Sequence, residues 1–565
     1  MQRARHGLLS SLAAGQVAAD LAFPYPQLSE EQRQTTYGII DALRHSGGDL
    51  HGLTERERSL LWARLQELGG LGTSLPTAQG GLGLGTLAWA RLIEALSRID
   101  LALALRVIAH EALGARAVLA FGSEPLKQRL LPDLARGVRR AAFALTEQVS
   151  GSDPSASATL AVYDEPAGNF RLNGHKKWVA GADDADVFVV FGATHLPGEG
   201  KKPRMNALLV EREPNVAVKP PHDTLGTPGL HVCEVRFHDL RIPADHLLGA
   251  AGKGFRVAAS MLSLARVVLS AAYVGQCKLL TNTAITRLKK RRSSGRTIGE
   301  YPLLKRAAAE MMRDTYAAES MSYLAAGVVD RLPGEVSLEA MATRIACSEL
   351  LWRTAQRAAQ IAGGEAYLRD NPAGRALQDA RIAFSFDGTN EVLRCTLAMG
   401  AVRAELRRPP ATGIAERGVQ RVKTRLLRRA RGVLKLSAFH SVHPALAPEA
   451  ALAERLSLQA SDACLEQIHR HGKDLSELQM TQARVADVLI EQLKLTAVLS
   501  RCSAALFRHG EAGAGRDVEV TRLVLQDAEE RLLSTIEALR SDREEMYQRV
   551  AARAYADGGY PFDLL

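Results

Sequence analysis

The sequence predicts a mostly helical α+β protein, in which a small β domain is inserted between two helical domains and another helical domain follows. Three observations support this order. Apolar residues recur at three- and four-residue steps on both sides of a β-rich region, the β-rich segments are short and bounded by turn residues, and a Pro-Pro-x-x-Gly break precedes the last helical region. The length of 565 residues also exceeds that of one compact core.

The first helical domain is expected at 1–140. EEQRQTTYGIIDALRHS and TERERSLLWARLQELGG carry apolar residues at helical spacing, and both end near glycine. The same pattern continues from Leu87 to Phe121.

The central β domain is expected at 141–253, where FALTEQ, NFRLNGHKKWVAG, DVFVVFGAT, NALLVER and VCEVRFHDLRIP alternate with turn residues. Helical periodicity returns at 254–406, which we expect to form a four-helix bundle. A β domain between two helical ones predicts a ligand-binding cleft at their junction.

The region after the core contains a linker with a basic amphipathic segment at 407–450 and an additional helical domain at 451–565. Within it, 414–436 combines an apolar stripe with six arginines, which is typical of a helix that binds an anionic membrane surface. The alternative is an ordinary helix that packs its stripe on the protein. Nucleic-acid binding is not expected, because aromatic residues do not alternate with the basic ones.

The net charge and the cysteine content limit the partners, metal sites and cellular location that we expect. The net charge of +10 allows anionic partners. The six cysteines are scattered without zinc-site spacing, so we expect no metal site and a reducing, cytoplasmic location. Through the basic segment 414–436, we also expect a peripheral position on the inner face of the membrane. Because no segment has 18 uninterrupted apolar residues, we expect no helix that spans a membrane.

Four motifs carry the chemistry: ALTEQVSGSD at 144–153, GHKKWVAG at 174–181, QIAGG at 360–364 and SFDGTNEVLR at 385–394. In order and spacing they resemble signatures of the acyl-CoA dehydrogenase superfamily, over about 28–405. The two ends of the chain, including 15–26 and 541–561, resemble the very-long-chain subgroup, which also has an added C-terminal helical domain.

The resemblance implies FAD-dependent α,β-dehydrogenation of long-chain acyl-CoA in fatty-acid β-oxidation, with electrons passed to an electron-transfer flavoprotein. In this family a glutamate removes the α-proton, and the matching residue here is Asp387. Its side chain is shorter by about 1.5 Å, and a misplacement of about 1 Å can slow a reaction roughly a hundredfold. Some relatives carry the base elsewhere, at a position that is Ala265 here, so that position offers no carboxylate.

The resemblance also assigns binding residues. FAD contacts are implied for Leu145, Thr146, Trp178, Ala180, Arg291, Gln360, Gly363, Gly364, Thr389 and Glu391, and substrate contacts for Ser152, Arg266 and Gly388. Ala180 replaces a threonine whose hydroxyl lies near flavin N5, Gln148 replaces a proline, and Arg292 competes with Arg291 for the pyrophosphate. Because Gly363 and Gly364 match a loop under the second subunit's FAD, a homodimer is implied.

Two alternatives stay open at this point. An aspartate base is also used by nitroalkane oxidase in this superfamily, so the chain could be a flavin oxidase, although the extended C-terminus argues against it. The chain could also be a catalytically weak scaffold, since one member of the very-long-chain subgroup assists the assembly of respiratory complex I.

Overall fold

The computed structural model describes residues 7–13, 19–44, 53–194, 203–332, 336–406, 439, 441–541 and 544–562. The chain divides into two compact units. The larger unit is Tyr25–Val392, and the smaller one combines Met1–Pro24 with Leu393–Leu565.

The chain begins with two short helices of the smaller unit, α1 (Leu8–Ala13) and α2 (Ala19–Ala22). The larger unit then opens with α3 (Glu30–Arg44), α4 (Glu55–Glu67), α5 (Thr86–Ile99), α6 (Leu101–Ile108), a π-helical turn (Ala109–Ala115), α7 (Arg116–Phe121) and α8 (Glu124–Ala135). Local sequence fixes where these helices begin. Thr54 and Glu57 form a reciprocal capping box at α4, and the Asp100 side chain accepts the Leu103 N–H at the start of α6.

A seven-stranded sheet follows, with strands β1 (Ala141–Ala144), β2 (Leu160–Asp164), β3 (Asn169–Ala180), β4 (Val187–Thr194), β5 (Arg204–Glu211), β6 (Val216–Val218) and β7 (Val232–Pro243). The long strand β3 pairs antiparallel with β2 and β7, while β4 pairs parallel with β1 and antiparallel with β5. Apolar side chains such as Phe188, Leu208 and Val235 form the buried core of this domain.

Five further helices follow in the larger unit, and the first two of them pack on α5. They are α9 (Gly254–Lys290), α10 (Pro302–Arg331), α11 (Ser337–Ala362), α12 (Pro372–Ala380) and the start of α13 (Asn390–Leu406), with a small hairpin of β8 (Arg292–Ser293) and β9 (Arg296–Thr297) after α9. Gly275 lets α9 approach α5 closely, since a Cβ there would lie 2.0 Å from Ser97 Oγ.

Helix α9 is long and apolar enough to cross a membrane by composition alone. However, 67% of its most apolar window is buried inside the protein. A mostly buried helix of this kind is typical of a protein core, so its hydropathy is explained by packing.

The smaller unit is helical, with α14 (Ala447–His471), α15 (Gln479–Gly513), α16 (Gly515–Arg540) and α17 (Glu544–Asp557). The N-terminal helices belong to this unit: the Ser461 hydroxyl donates to the Ala13 carbonyl at 2.9 Å. The predicted membrane-binding segment, 414–436, lies outside the described residues.

Both predicted features of the architecture are confirmed: a β domain between helical domains, and a helical region at the C-terminus. The predicted domain boundaries stay predictions. The structure places the residues up to Pro24 with the C-terminal unit, whereas the sequence pattern assigns them to an N-terminal helical domain.

Candidate active site

Asp387 lies in the loop between α12 and α13, and its backbone is left-handed, with φ 68°. The next residue, Gly388, has φ 96°. A non-glycine residue with positive φ costs roughly 1–3 kcal/mol and persists only where the surroundings fix it. The loop must therefore be held by strong contacts.

Arg344 supplies those contacts from α11. Its side chain is fully buried, and it donates to the Phe386 carbonyl and to the Asn390 side-chain oxygen. The Asn390 amide in turn donates to Ser348 Oγ at 3.0 Å and to Glu349 Oε1 at 3.2 Å. The residues on both sides of Asp387 are thus tied to α11.

The Asp387 carboxylate is only 1% exposed, yet neither of its oxygens accepts a hydrogen bond from the described residues. Arg266 Nε lies 3.4 Å from Oδ2 without hydrogen-bond alignment, and an Arg266 amino group donates to the Asp387 carbonyl at 3.4 Å. Burial raises the pKa of Asp387 to about 6, against the lowering effect of Arg266 and Arg344. This carboxylate is ionised at neutral pH but more basic than a free aspartate.

The structure therefore brings Asp387, Gly388 and Arg266 together. Ala265, at the other base position in the family, is fully buried and places no carboxylate there. Thr389 and Glu391 follow directly on the same loop; the Thr389 hydroxyl accepts the Val392 N–H at 3.4 Å, and Glu391 is exposed.

A second group lies on the β domain. Leu145 and Thr146 follow β1 and are tied to β3, because Lys176 Nζ donates to the Leu145 carbonyl at 3.0 Å and the Lys177 N–H donates to the Thr146 carbonyl at 2.9 Å. Ser152 is exposed in the loop that follows.

Glu147 anchors this loop from within the β domain. Burial would raise its pKa, but hydrogen bonds from Lys176 at 2.6 Å and Ser157 at 2.5 Å outweigh that effect and lower the pKa to about 2. Backbone N–H groups of Ala158 and Thr159 complete its partners. Glu147 is thus a structural residue of the motif.

Trp178 sits on a β-bulge. The pairing of β3 with β7 slips between Lys176 and Val179, which leaves one extra residue on β3, and Trp178 takes φ 59°. The bulge turns the indole outward, so that Trp178 is 58% exposed, whereas nearby Ala180 is buried. An exposed aromatic on a rigid strand is a platform for a flat ring.

A third group lies at the other end of α9. Arg291, Gln360, Gly363 and Gly364 are all exposed there. Arg287 joins α9 to the glycine loop, since it donates to the carbonyls of Ile361 at 3.1 Å and Ala362 at 2.8 Å. Arg292 donates to the Gly295 carbonyl at 2.6 Å, which favours Arg291 as the side chain available to a ligand. Along the helix, Arg287 is roughly 30 Å from Arg266.

A cavity of about 290 Å³ lies where the β domain meets the helices, as predicted for that junction. Its lining includes Arg58, Asp100, Thr227, Gln276 and Asp379. Neither Asp387 nor the flavin candidates of the β domain belong to that lining, so the assignment of the active site rests on the surroundings of Asp387 instead.

Sequence reasoning did not find Arg344 or Tyr273, a fully buried phenol on α9. A signal existed for each: Arg344 is a single cation in the apolar run MATRIACSELL, and Tyr273 is a bulky residue among small ones in SAAYVG. Which helix faces these residues meet depends on tertiary packing.

Four family models match the chain in the order of its domains. They are the N-terminal, middle and C-terminal domains of acyl-CoA dehydrogenase, at 49–138, 142–240 and 252–402, and the ACAD9/ACADV C-terminal domain at 444–558. The human mitochondrial very long-chain specific acyl-CoA dehydrogenase is 30% identical over 559 residues, covering 94% of this chain and 84% of the relative. The chain belongs to the acyl-CoA dehydrogenase family.

Solved structures agree. A Bacillus anthracis acyl-CoA dehydrogenase complexed with FAD superposes with a TM-score of 0.82 at 25% identity, covering 95% of this chain and 92% of that one. A chain from a structure described as the electron transferring flavoprotein of Acidaminococcus fermentans gives 0.62 at 28% identity, covering 67% and 99%. The predicted family, its very-long-chain subgroup and the enzyme class, an oxidoreductase, are confirmed.

Proposed function

We propose that this protein catalyses FAD-dependent α,β-dehydrogenation of long-chain acyl-CoA thioesters, with Asp387 as the base. The observation that carries the proposal is the Asp387 carboxylate, which is buried and lacks a hydrogen-bond partner among the described residues. The motif SFDGTNEVLR supports it, because Asp387 there matches the family's glutamate. A base needs a free lone pair directed at the substrate, and a carboxylate saturated by donors would not offer one.

The residues present fit FAD. Trp178 offers an exposed aromatic face. Chain neighbours aside, no atom of the described residues lies within 4 Å of a Cβ built on Gly363 or Gly364, so the backbone there is open to a ligand. Leu145, Thr146, Trp178, Ala180, Thr389 and Glu391 would hold the cofactor at one end, and Arg291, Gln360, Gly363 and Gly364 at the other. Arg291 suits the pyrophosphate, because guanidinium and phosphate pair well. When bound, FAD supplies the acceptor for the β-hydrogen as hydride.

The chain's own task is to remove the α-proton. Asp387 takes that proton on a carboxylate oxygen, and burial makes this oxygen more basic than that of a free aspartate. Arg266 and Arg344 keep the carboxylate ionised near neutral pH, since both cations oppose the effect of burial on its pKa.

The fixed backbone at Asp387 compensates for its shorter side chain. Arg344 holds Phe386 on one side and Asn390 on the other, so the carboxylate is presented from a loop with little freedom. Proximity and orientation are worth several kcal/mol in a positioned reaction. A rigid aspartate therefore serves in place of a glutamate.

Long acyl chains are proposed because the human relative is named as very long-chain specific and the chain shares the additional C-terminal domain. An electron-transfer flavoprotein is the proposed acceptor, supported by the solved chain from the structure of such a flavoprotein.

A homodimer is proposed as the working unit. The base and the Arg291–Gly364 group lie roughly 30 Å apart along α9. Two subunits would let the second group serve the partner's FAD.

Membrane association through 414–436, with the protein cytoplasmic and peripheral on the inner face, is proposed from the basic amphipathic pattern alone. Flotation with anionic liposomes tests it: loss of flotation when Arg428, Arg429 and Arg431 are replaced by Gln supports the proposal. Equal flotation of both proteins contradicts it.

Anaerobic titration of the purified holoprotein with acyl-CoAs of increasing length tests the enzymatic proposal. The flavin band should bleach most readily with long chains, while Asp387→Asn should retain FAD and its yellow colour after the same addition. A wild-type flavin that no acyl-CoA bleaches contradicts the proposal. Fast reoxidation by oxygen with turnover would favour the oxidase that an aspartate base first suggested.

A further inference from the structure

The base has an unusual neighbour on α9. Arg266, Ser270, Tyr273 and Cys277 follow at steps of four, three and four residues, so they share one face of the helix. Arg266 lies against Asp387. Tyr273 is one of the largest fully buried side chains in the chain, and helical side chains lean towards the helix N-terminus, which is the direction of Arg266.

The polar atoms around this face are not satisfied. Among the described residues, Tyr273 Oη, Arg344 Nε, Arg266 Nε and both carboxylate oxygens of Asp387 are buried without a hydrogen-bond partner. Buried polar atoms are nearly always paired in folded proteins, and a cluster of unpaired ones marks a working site or a place for ordered water. Here donors and acceptors occur together without bonding one another directly, so an ordered water between them has partners on both sides.

The protonation states fix the direction of such a bond. Burial raises the pKa of Tyr273 to about 12, while Arg344 opposes and Asp387 reinforces the rise. The phenol therefore stays protonated and can donate a hydrogen bond. Asp387, ionised at neutral pH, can only accept.

We propose that Tyr273 is a positioning residue for the proton abstraction, donating a hydrogen bond to the Asp387 carboxylate through one bridging water, since the two groups are not directly hydrogen-bonded. The inference rests on the proposed function of Asp387 as the base. An aspartate holds its carboxylate about one methylene closer to its own backbone than a glutamate does, and hence closer to the donors of α9 and α11. Tyr273 then fixes the orientation of the shorter base.

Among the described residues, four other titratable or charged groups influence the pair of Tyr273 and Asp387. The charge of Arg266 on α9 lowers the pKa of Asp387, and the charge of Arg344 on α11 lowers the pKa of both Asp387 and Tyr273. Cys347 of α11 raises the pKa of Tyr273. Glu349 acts on Arg344. A donor to the ionised carboxylate stabilises the charged form, so removing it must move the ionisation of Asp387 to higher pH.

The test uses the holoenzyme and a 3-thia-acyl-CoA, in which sulfur replaces the β-carbon so that no β-hydrogen can leave. Exchange of its α-hydrogens with deuterated water, followed by NMR between pH 5 and pH 8.5, reports proton abstraction without flavin reduction. For Tyr273→Phe we expect the midpoint of the exchange rate to rise by about one pH unit. Exchange should then fall roughly five- to tenfold at pH 6 and little at pH 8.5.

Tyr323→Phe is the matched control, because Tyr323 is a partly buried phenol on α10 that donates to Glu94, away from the loop that carries Asp387. It should leave the midpoint unchanged. If Tyr273→Phe does not fold, Tyr273→Leu removes the same hydroxyl. A midpoint equal to that of the wild type in a folded Tyr273 variant overturns the proposal.

The control for the base itself separates the two failures. If Asp387→Asn exchanges α-hydrogens as fast as the wild type, the assignment of the base fails, and the role of Tyr273 fails with it. If Asp387→Asn is inactive while Tyr273→Phe behaves as the wild type, the base stands and only the role of Tyr273 is overturned.

Discussion

Two buried carboxylates of this protein differ in almost every respect. Glu147, in the β domain, accepts hydrogen bonds from Lys176, Ser157 and two backbone N–H groups, which lower its pKa to about 2. Asp387, in the loop between α12 and α13, accepts none from the described residues, and burial raises its pKa to about 6. The first shapes the loop that would carry the flavin, and the second is left free to react.

The difference teaches how one fold separates structure from chemistry. A carboxylate whose oxygens accept several hydrogen bonds is stable and unreactive. A buried carboxylate without such partners costs folding free energy but offers a lone pair to a substrate. Mutations at the two sites should therefore change stability in opposite directions.

The largest expected effect on stability is at the structural site. Lys176→Met should lower the free energy of unfolding by about 3–5 kcal/mol, because it leaves the Glu147 charge buried without its cation. Chemical denaturation at pH 7 measures the loss. An unfolding midpoint equal to that of the wild type would show that the pair is not important for stability.

At Asp387 we expect the opposite effect, an increase in the free energy of unfolding when the carboxylate is replaced. The ordinary pKa of Asp387 is 3.8 and the folded one about 6, so the wild type loses stability as pH rises from about 4 to 6. At pH 8, Asp387→Asn should stabilise the protein by up to about 3 kcal/mol, since one pKa unit corresponds to about 1.4 kcal/mol. At pH 4 the gain should vanish. A variant that is less stable at pH 8 would contradict the raised pKa.

The smallest effect concerns the flavin platform. Trp178→Ala should weaken FAD retention roughly tenfold while changing the unfolding free energy of the apoprotein by less than about 1 kcal/mol, because the indole is mostly exposed. Trp89→Ala is the control: Trp89 is fully buried, so its loss should destabilise the protein by about 3–5 kcal/mol. Unchanged FAD affinity in Trp178→Ala would remove Trp178 from the site.

The sequence predicted the order of the domains because hydrophobic periodicity and turn residues act locally. The resemblance to the family also assigned Asp387, Gly388 and Arg266 to one site, and the structure brings Arg266 to Asp387 across 121 positions of sequence. That prediction came from family motifs rather than from periodicity.

The sequence could not predict the parts that depend on packing. The pairing of α1 and α2 with the C-terminal unit joins residues more than 400 positions apart. The hydrogen bond from Arg344 to the loop that carries Asp387 depends on which face of α11 is buried. The bulge that exposes Trp178 depends on the register of β3 against β7. No local pattern encodes these features.

The central claim is that Asp387 is the base, and the pH dependence of flavin reduction tests it most directly. Rapid mixing of the holoenzyme with a long-chain acyl-CoA under anaerobic conditions should give a rate that rises with pH to a plateau, with a midpoint near 6, since only the ionised carboxylate can accept the proton. In Asp387→Asn the rate should fall about 10²–10⁴-fold on the plateau above pH 7 and lose the midpoint near 6. Flavin reduction in that variant at the wild-type rate, with the same midpoint, would contradict the claim.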